Sequence, residues 1–384
     1  MGAEPNDAAH RAPTVARLLL TSLWLGVAGF GGGYAIIHLL KRKAVEREGW
    51  IAEEPFVEAM AVATTLPGAF ATNVLTLVAH RLRGAVAALF ATVAFIAPSG
   101  AVMVAVAAAY DRVRGAPAVA TCLDGMSAAT VGVVAAVAVD IGRTSLRRKI
   151  DWAIGAAACA AIATGALTLF ETVAATALLG AALMRPPGGA DRQGPGLFAI
   201  LPAIGTAAIA APALLTVFAV FARIGIATFG GGFSMIAAID HEIVGARGWI
   251  GEDAFKDAIV LGLITPGPVA MAATFVGYRI AGLAGACVAT AGMFGPPVVA
   301  SLVAARSLDA FRHNRILKGA LGALGPSVAG IVAAATISLL RTSVHGAMGG
   351  AIAVVAFAIL VATRRVPPIA VLAAGGAAAL LLPR

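Results

Sequence analysis

The chain alternates long apolar runs with short polar breaks. About 20 apolar residues suffice to cross a bilayer as a helix, and the runs predict a helical membrane protein. In the first half they cover 14–40, 56–79, 85–110 and 126–141. The run 152–184 is too long for one span, and Gly165 near its middle predicts two short helices. In the second half the runs cover 213–239, 258–278, 283–305, 321–340, 347–362 and 367–382. Between the halves lies a hydrophilic Pro/Gly-rich stretch, 185–196, then an apolar run, 197–211, with no counterpart elsewhere. The expected division is a first repeat over 1–184, a linker with an extra helix over 185–212, and a second repeat over 213–384.

The two halves repeat one text. Phe30-Gly31-Gly32-Gly33-Tyr34-Ala35-Ile36-Ile37 returns as Phe229-Gly230-Gly231-Gly232-Phe233-Ser234-Met235-Ile236, an offset of 199 residues. The same offset pairs Trp50 with Trp249, Glu53 with Glu252, Pro67-Gly68 with Pro266-Gly267, and Pro98 with Pro297. Farther on it slips by one, pairing Gly132 with Gly330 and Arg143 with Arg341. Self-similarity at a fixed offset marks a tandem duplication.

Composition sharpens the class. Hydrophobic residues make up 60% and charged residues 12%, against roughly 25% charged in soluble domains. The mean hydropathy is +0.92. The net charge of +9 is spread over short loops between apolar runs, where it sets topology, so nucleic acid is not an expected partner. If 197–211 crosses the membrane, the second repeat is inverted, with about 18 Lys and Arg on one side against 9 on the other. If it does not cross, the bias vanishes, at about 13 against 14. The inverted arrangement is therefore expected, with the N-terminus cytoplasmic. The fold expected is an all-α polytopic membrane protein of about 12–13 transmembrane helices in two inverted repeats.

Two motifs carry candidate chemistry. Each interior glycine costs a helix roughly 1 kcal/mol against Ala. Gly31, Gly32 and Gly33, echoed by Gly230, Gly231 and Gly232, therefore predict unwound backbone or very close helix contact. Thr65-Leu66-Pro67-Gly68 is matched by Thr265-Pro266-Gly267-Pro268. Proline breaks a helix interior yet suits the first position of a new helix. The spacing predicts broken helices, with new N-termini at Pro67 and Pro266 facing each other at mid-membrane. Helix N-termini favour anions, and paired broken helices point to a transporter's binding site. Asn73, Thr65 and Thr265, with Thr64 and Thr274 beside them, are candidates to hydrogen-bond substrate oxygens. Arg223 is the basic residue set deep in an apolar run, where a charge is usually functional. Glu58, its counterpart Asp257, Asp140 and Glu171 lie near membrane ends, where any of them could carry a proton relay; Glu58 and Asp257 read first as solvated carboxylates at helix starts.

Enzyme readings find little purchase. Cys122, Cys159 and Cys287 are far apart and the six His lack metal-ligand spacing, so no metal, cofactor or catalytic residue is expected. The triplet, then Gly-Trp-Ile with acids after it, then Pro-Gly, closely resembles the chromate ion transporter family. The resemblance runs from about Ala16 to the C-terminus and rests on 30–37, 49–54, 66–73, 229–236, 248–253 and 265–278, so the chain is similar to a fused two-domain member. It departs within itself at Ala69, where the second repeat has Pro268. The resemblance implies an inner-membrane carrier that exports chromate, with sulfate as a similar dianion; a passive anion channel on the same scaffold is a rival reading. The expected partners are that oxyanion and the lipid bilayer, with self-association into a homo-oligomer allowed.

Overall fold

A computed structural model describes residues 12–30, 33–183, 214–306, 315–363 and 366–381. The expected helix over 197–211 lies outside the described residues, as do Gly31, Gly32 and Arg312. Fourteen helices make up the described fold. They are α1 (Val15–Ala28), α2 (Gly33–Lys41), α3 (Glu53–Ala63), α4 (Phe70–Arg114), α5 (Pro117–Ser145), α6 (Lys149–Ala163) and α7 (Leu169–Leu183), then α8 (Leu214–Ala227), α9 (Ser234–Ile239), α10 (Glu252–Ile264), α11 (Ala272–Arg306), α12 (Arg315–Ser343), α13 (Gly346–Thr363) and α14 (Pro368–Leu381). Single π-type turns, Arg42–Arg47 and Asp240–Gly245, extend α2 and α9.

The first two apolar runs of each repeat are not single spans, as the run lengths predicted, but hairpins of short helices. Arg17 near the start of α1 bonds Glu48 beyond α2 at 2.7 Å and stacks over Trp50, so α1 and α2 run antiparallel. Arg81 bonds both Glu58 and the Pro55 carbonyl at 2.8 Å, so α3 and the start of α4 also run antiparallel. The Pro-Gly motif does break its helix, and the break is a reversal. Run length alone cannot separate one span from two half-length helices folded back. A third reversal sits inside α4, at Gly84 with φ 79°, and brings Thr76 within 2.8 Å of Thr92. In α11 the equivalent reversal is at Ala281 and Gly282, with Thr274 2.7 Å from Thr290.

These paired features correct the repeat alignment. Thr76 matches Thr274, Gly84 matches Gly282 and Thr92 matches Thr290, an offset of 198. The one-residue slip therefore falls between Gly68 and Thr76, and Pro98 pairs with Pro296 rather than Pro297. Direction then follows from contacts. A side chain at Gly267 would strike Ser99, Tyr110 packs edge-on to Phe275, and Arg279 bonds Asp111 at 2.8 Å. So the second arm of α4 (85–114) runs parallel to the first arm of α11. After the turn at Gly282, the second arm of α11 (283–306) runs the other way. The two second arms are equivalent and antiparallel, which makes the repeats inverted.

The repeats also exchange helices. α5 packs on α13 and α14 of the other repeat, and α12 packs on α6 and α7. Small residues permit the approach. A Cβ at Gly132 would lie 2.5 Å from the Ala353 carbonyl, and one at Gly330 would lie 2.0 Å from the Gly155 carbonyl. α6 starts at a capping box, in which Arg148 hydrogen-bonds Asp151 and holds its carboxyl below the usual range. Candidate spans by length and hydropathy are Phe70–Arg114, Pro117–Ser145, Val269–Arg306, Gly319–Ser343 and Gly346–Thr363. Within the first and third, the reversals leave 85–114 and 283–306 as the spanning portions.

Two outcomes test this architecture. The exposed residues Arg147 and His345 are equivalent by the offset of 198, so cysteines placed there should label from opposite faces of the membrane; labelling of both from one face contradicts inversion. Gly330→Ala should lower stability by about 1–3 kcal/mol in a thermal melt of the detergent-solubilised protein, because the added Cβ meets backbone. Gly322→Ala, with open space around it, should change little.

Candidate functional site: a four-way junction of broken helices

The two Pro-Gly tips and the two glycine breaks meet at the centre of the molecule. The Gly68 amide donates to the Thr228 carbonyl at 2.6 Å, and the Gly267 amide donates to the Gly29 carbonyl at 2.9 Å. Gly68 and Gly267 are repeat equivalents, as are Gly29 and Thr228, so each tip binds the other repeat's break in a reciprocal pair. Gly33 in the first repeat and Gly232 in the second lie against the start of the returning arm. A Cβ at Gly33 would sit 3.8 Å from the Ala71 nitrogen, and one at Gly232 would sit 3.7 Å from the Ala270 nitrogen.

The second triplet explains why glycine is needed. Gly230, Gly231 and Gly232 hold φ of 68°, 79° and 101°, a run of left-handed residues that side chains rarely adopt. Gly68 and Gly267 hold φ of 102° and 107°, and a Cβ at Gly68 would lie 2.5 Å from Pro297. The triplet is thus an unwound turn rather than a helix-packing face, and Phe229 N–H is capped by the Ser234 hydroxyl at 3.0 Å. The new helices do not start at Pro67 and Pro266 as expected but three residues later. The returning helices begin at Phe70, and at Val269–Met271 leading into Ala272, because Ala69 and Pro268 hold extended backbone as caps.

The tips are steadied by different devices. In the first, fully buried Asn73 donates from Nδ2 to the Pro67 carbonyl at 2.8 Å. In the second, Pro268 stiffens the turn and the Ser99 hydroxyl of the first repeat donates to the Pro266 carbonyl. Two polar atoms at the first tip, Asn73 Oδ1 and Thr72 Oγ1, are buried with no hydrogen-bond partner. A buried polar group without a partner costs about 1–3 kcal/mol, so these atoms are suited to a ligand or water. The threonine hydroxyls picked from sequence are largely committed. Thr64 donates to Ala61 and Thr65 to Val62, each at 2.7 Å, while Thr274 faces Thr290. Thr265 points at the Met103 sulfur at 3.6 Å. These hydroxyls are therefore mostly spoken for within the protein.

Arg223 lies apart from the second triplet's turn but shares a cavity with the first tip. That cavity, of about 1410 Å³, is lined by Thr65, Pro67, Thr92, Arg223, Phe229 and Thr274 among mainly apolar side chains. Among the described residues, Arg223 is its only charged lining residue. Its guanidinium sits 5.7 Å over the Phe170 ring, and among the described residues no carboxylate lies within ion-pair distance. A second cavity, of about 690 Å³, opens beside Asp240, His241, Glu252, Ser338 and Arg341. Asp257 corrects the solvated reading. It is fully buried, accepting from Tyr110 at 2.7 Å and ion-paired with Arg114 at 2.8 Å, because the outer end of α4 lies against it. Glu58 keeps a half-buried pairing with Arg81.

Sequence reading missed Gly29, Thr72, Ser99 and Thr228. Ser99 carries a weak trace, as a polar residue beside Pro98 in an apolar run. Thr228 and Gly29 act through backbone carbonyls, which no residue type announces.

The model of the chromate transporter family matches residues 16–184 and 215–380. The chain is 29% identical over 345 residues to a chromate transport protein of Pseudomonas aeruginosa, covering 85% of this chain and 81% of that one. It is 28% identical over 363 residues to a chromate transport protein of Cupriavidus metallidurans, covering 91% and 89%. A probable chromate transport protein of Synechococcus elongatus is 27% identical over 346 residues, covering 88% and 87%. No solved structure matches. The family model falls on both repeats, and with it on both halves of the junction: the chain belongs to the chromate transporter family.

Proposed function

We propose that this protein is a secondary transporter that exports chromate, a tetrahedral oxyanion dianion, across the inner membrane, with its N-terminus cytoplasmic and two repeats, 1–184 and 213–384, joined by 185–212. The substrate is taken from what the chromate transport relatives are named for. The observation that carries the mechanism is the reciprocal hydrogen-bonded junction of two tips and two breaks. Irregular backbone at membrane depth is tolerated where it lines a cavity or is buried in protein, and in inverted repeats such a place is where carriers bind substrate. The site consists of Gly31–Gly33 and Gly230–Gly232, the tip residues Thr65, Pro67, Gly68, Thr265, Pro266 and Gly267, with Asn73 and Arg223.

Charge decides the role of Arg223. A dianion brings two negative charges out of water, and uncompensated burial of charge costs many kcal/mol. Two helix N-termini supply roughly half a charge each, about one in total. Arg223 is the cation free to supply the remainder, through bidentate contact that suits an oxyanion. Alternating exposure then needs the two repeats to exchange conformations around the fixed junction. The protein performs no chemistry on the substrate in this reading, and energy comes from an ion gradient.

Uptake of labelled chromate and sulfate into inverted vesicles, with and without a proton gradient, tests the assignment. Saturable accumulation above equilibrium is expected for chromate. Stronger accumulation of sulfate would reassign the substrate, and a non-saturating flux that stops at equilibrium would mark a channel. Arg223→Ala should lower chromate transport at least about 10-fold, a loss of about 1.4 kcal/mol of binding or barrier, with expression intact. Arg223→Lys should retain part of it, since charge persists without the fork geometry. A wild-type rate in Arg223→Ala would assign that residue to structure or lipid contact.

A further inference from the structure

The second arm of α4 is fastened along its length to the other repeat's second hairpin. From the tip outward, Ser99 bonds the Pro266 carbonyl, Met103 meets Thr265, Tyr110 stacks on Phe275 and bonds Asp257, and Arg114 bonds Asp257. The last contact is chemically different from the rest. Asp257 is 0% exposed and its Oδ1 has no hydrogen-bond partner. Only Oδ2 is served, by the Tyr110 hydroxyl and the Arg114 ion pair, and both partners come from α4 of the first repeat.

Every charge around it has another arrangement open to it. Asp111 pairs with Arg279 at 2.8 Å, and Arg279 also lies over the Tyr110 ring. Lys256 pairs with Asp253 at 2.8 Å, and His345 faces Asp253 from the loop before α13. Arg114 has a second carboxylate, Asp124 on α5 at 3.0 Å, which is 45% exposed. If the hairpin parts from α4, Arg114 keeps Asp124, and Asp253 keeps Lys256. Asp257 alone is left as a buried carboxylate facing apolar surroundings. A buried carboxylate stripped of its partner resolves that cost by neutralising.

We propose that Asp257, Arg114 and Tyr110 form a proton-linked latch, in which the second hairpin parts from α4 only when Asp257 takes up one proton from solvent. On release the carboxylate becomes a neutral acid, and on relatching the proton returns to water as Arg114 rejoins it. This rests on the transport reading for its purpose, since it would tie one step of alternating exposure to one proton. The sign is fixed by the geometry: acid favours the parted state, and alkali favours the latched one.

The test is a distance measured without transport. In the full chain with Cys122, Cys159 and Cys287 replaced by serine, spin labels are placed through Gly251→Cys and Ala116→Cys. Both positions are exposed, at the outer end of α10 and just beyond α4, and a side chain at Gly251 meets open space. Pulsed electron paramagnetic resonance in lipid nanodiscs should show one short distance at mildly alkaline pH and a growing longer one as pH falls. Asp257→Asn should show the longer population at all pH values. Arg114→Gln, a second route that leaves Asp257 in place, should move the midpoint upward by about 1–3 pH units. A distribution unchanged by pH and by both substitutions, in monodisperse protein, overturns the latch. Chromate uptake by the label-free protein is read in parallel. A moving latch without uptake leaves the latch standing and refutes the transport reading, and uptake with a fixed distance does the reverse.

Discussion

A bilayer forbids unpaired backbone polar groups, and this fold lives with four chain reversals per molecule at its centre. The reciprocal bonds from Gly68 to Thr228 and from Gly267 to Gly29 meet that constraint. Neither repeat can supply both partners, since the amide sits on one repeat's tip and the carbonyl on the other's break. The interior of each repeat is thus incomplete alone. The exchange of helices, α5 on α13 and α14, α12 on α6 and α7, extends the same dependence to the periphery.

Glycine does two separate jobs in this arrangement. At Gly230–Gly232, Gly68 and Gly267 it supplies left-handed backbone, which lets the chain reverse inside the protein. At Gly26, Gly132, Gly225 and Gly330 the backbone is helical, and the missing side chain lets helices touch carbonyl to Cα. Lipid offers helices no hydrophobic drive to associate, so that close contact carries the cohesion. Threonines complement it quietly. Thr76 with Thr92, and Thr274 with Thr290, tie the arms of each long hairpin while Thr92 and Thr290 also bond their own preceding turns.

Much of this was legible in the residues. The duplication, the helical class, the broken Pro-Gly segments and the division of 152–184 at Gly165 all follow from pattern, and α6 and α7 flank Gly165 with φ 70°. The direction of the chain after each break was not legible. Hydropathy is indifferent to whether two half-length helices continue or fold back, and the direction is fixed by pairs such as Arg81 with Glu58 that are distant in sequence. The same applies to Asp257. An acid near the start of an apolar helix looks solvated until α4 of the other repeat, 147 positions away at Tyr110, is brought against it. The alignment slip between Gly68 and Thr76 hid Ser99 as well. Under the uncorrected offset it faces Val298, and under the corrected one it faces Pro297, the residue that packs on Gly68 just as Ser99 packs on Gly267.

A strictly symmetric pair of inverted repeats would present the same barrier from both sides, so any difference between its two end states must come from positions where the repeats diverge. Such differences adjoin the junction and the hairpin bases. The first tip has Ala69 and is held within its own repeat by Asn73, whereas the second has Pro268 and is held by Ser99 across the repeat boundary. At the base of the first hairpin Lys41 pairs with Glu53. The same scaffold place in the second repeat sets Asp240 beside Glu252 in one cavity, with Ser338 bonded to Asp240. An ion pair has become two like charges, which ties the first hairpin base together and leaves the second under repulsion. Such differences cannot choose a net direction, because a ligand shifts a two-state equilibrium only by its differential affinity for the states. They can set the two end states at unequal free energy. In the proposed carrier, that inequality is what an ion gradient, or a proton taken up on one side, would work against.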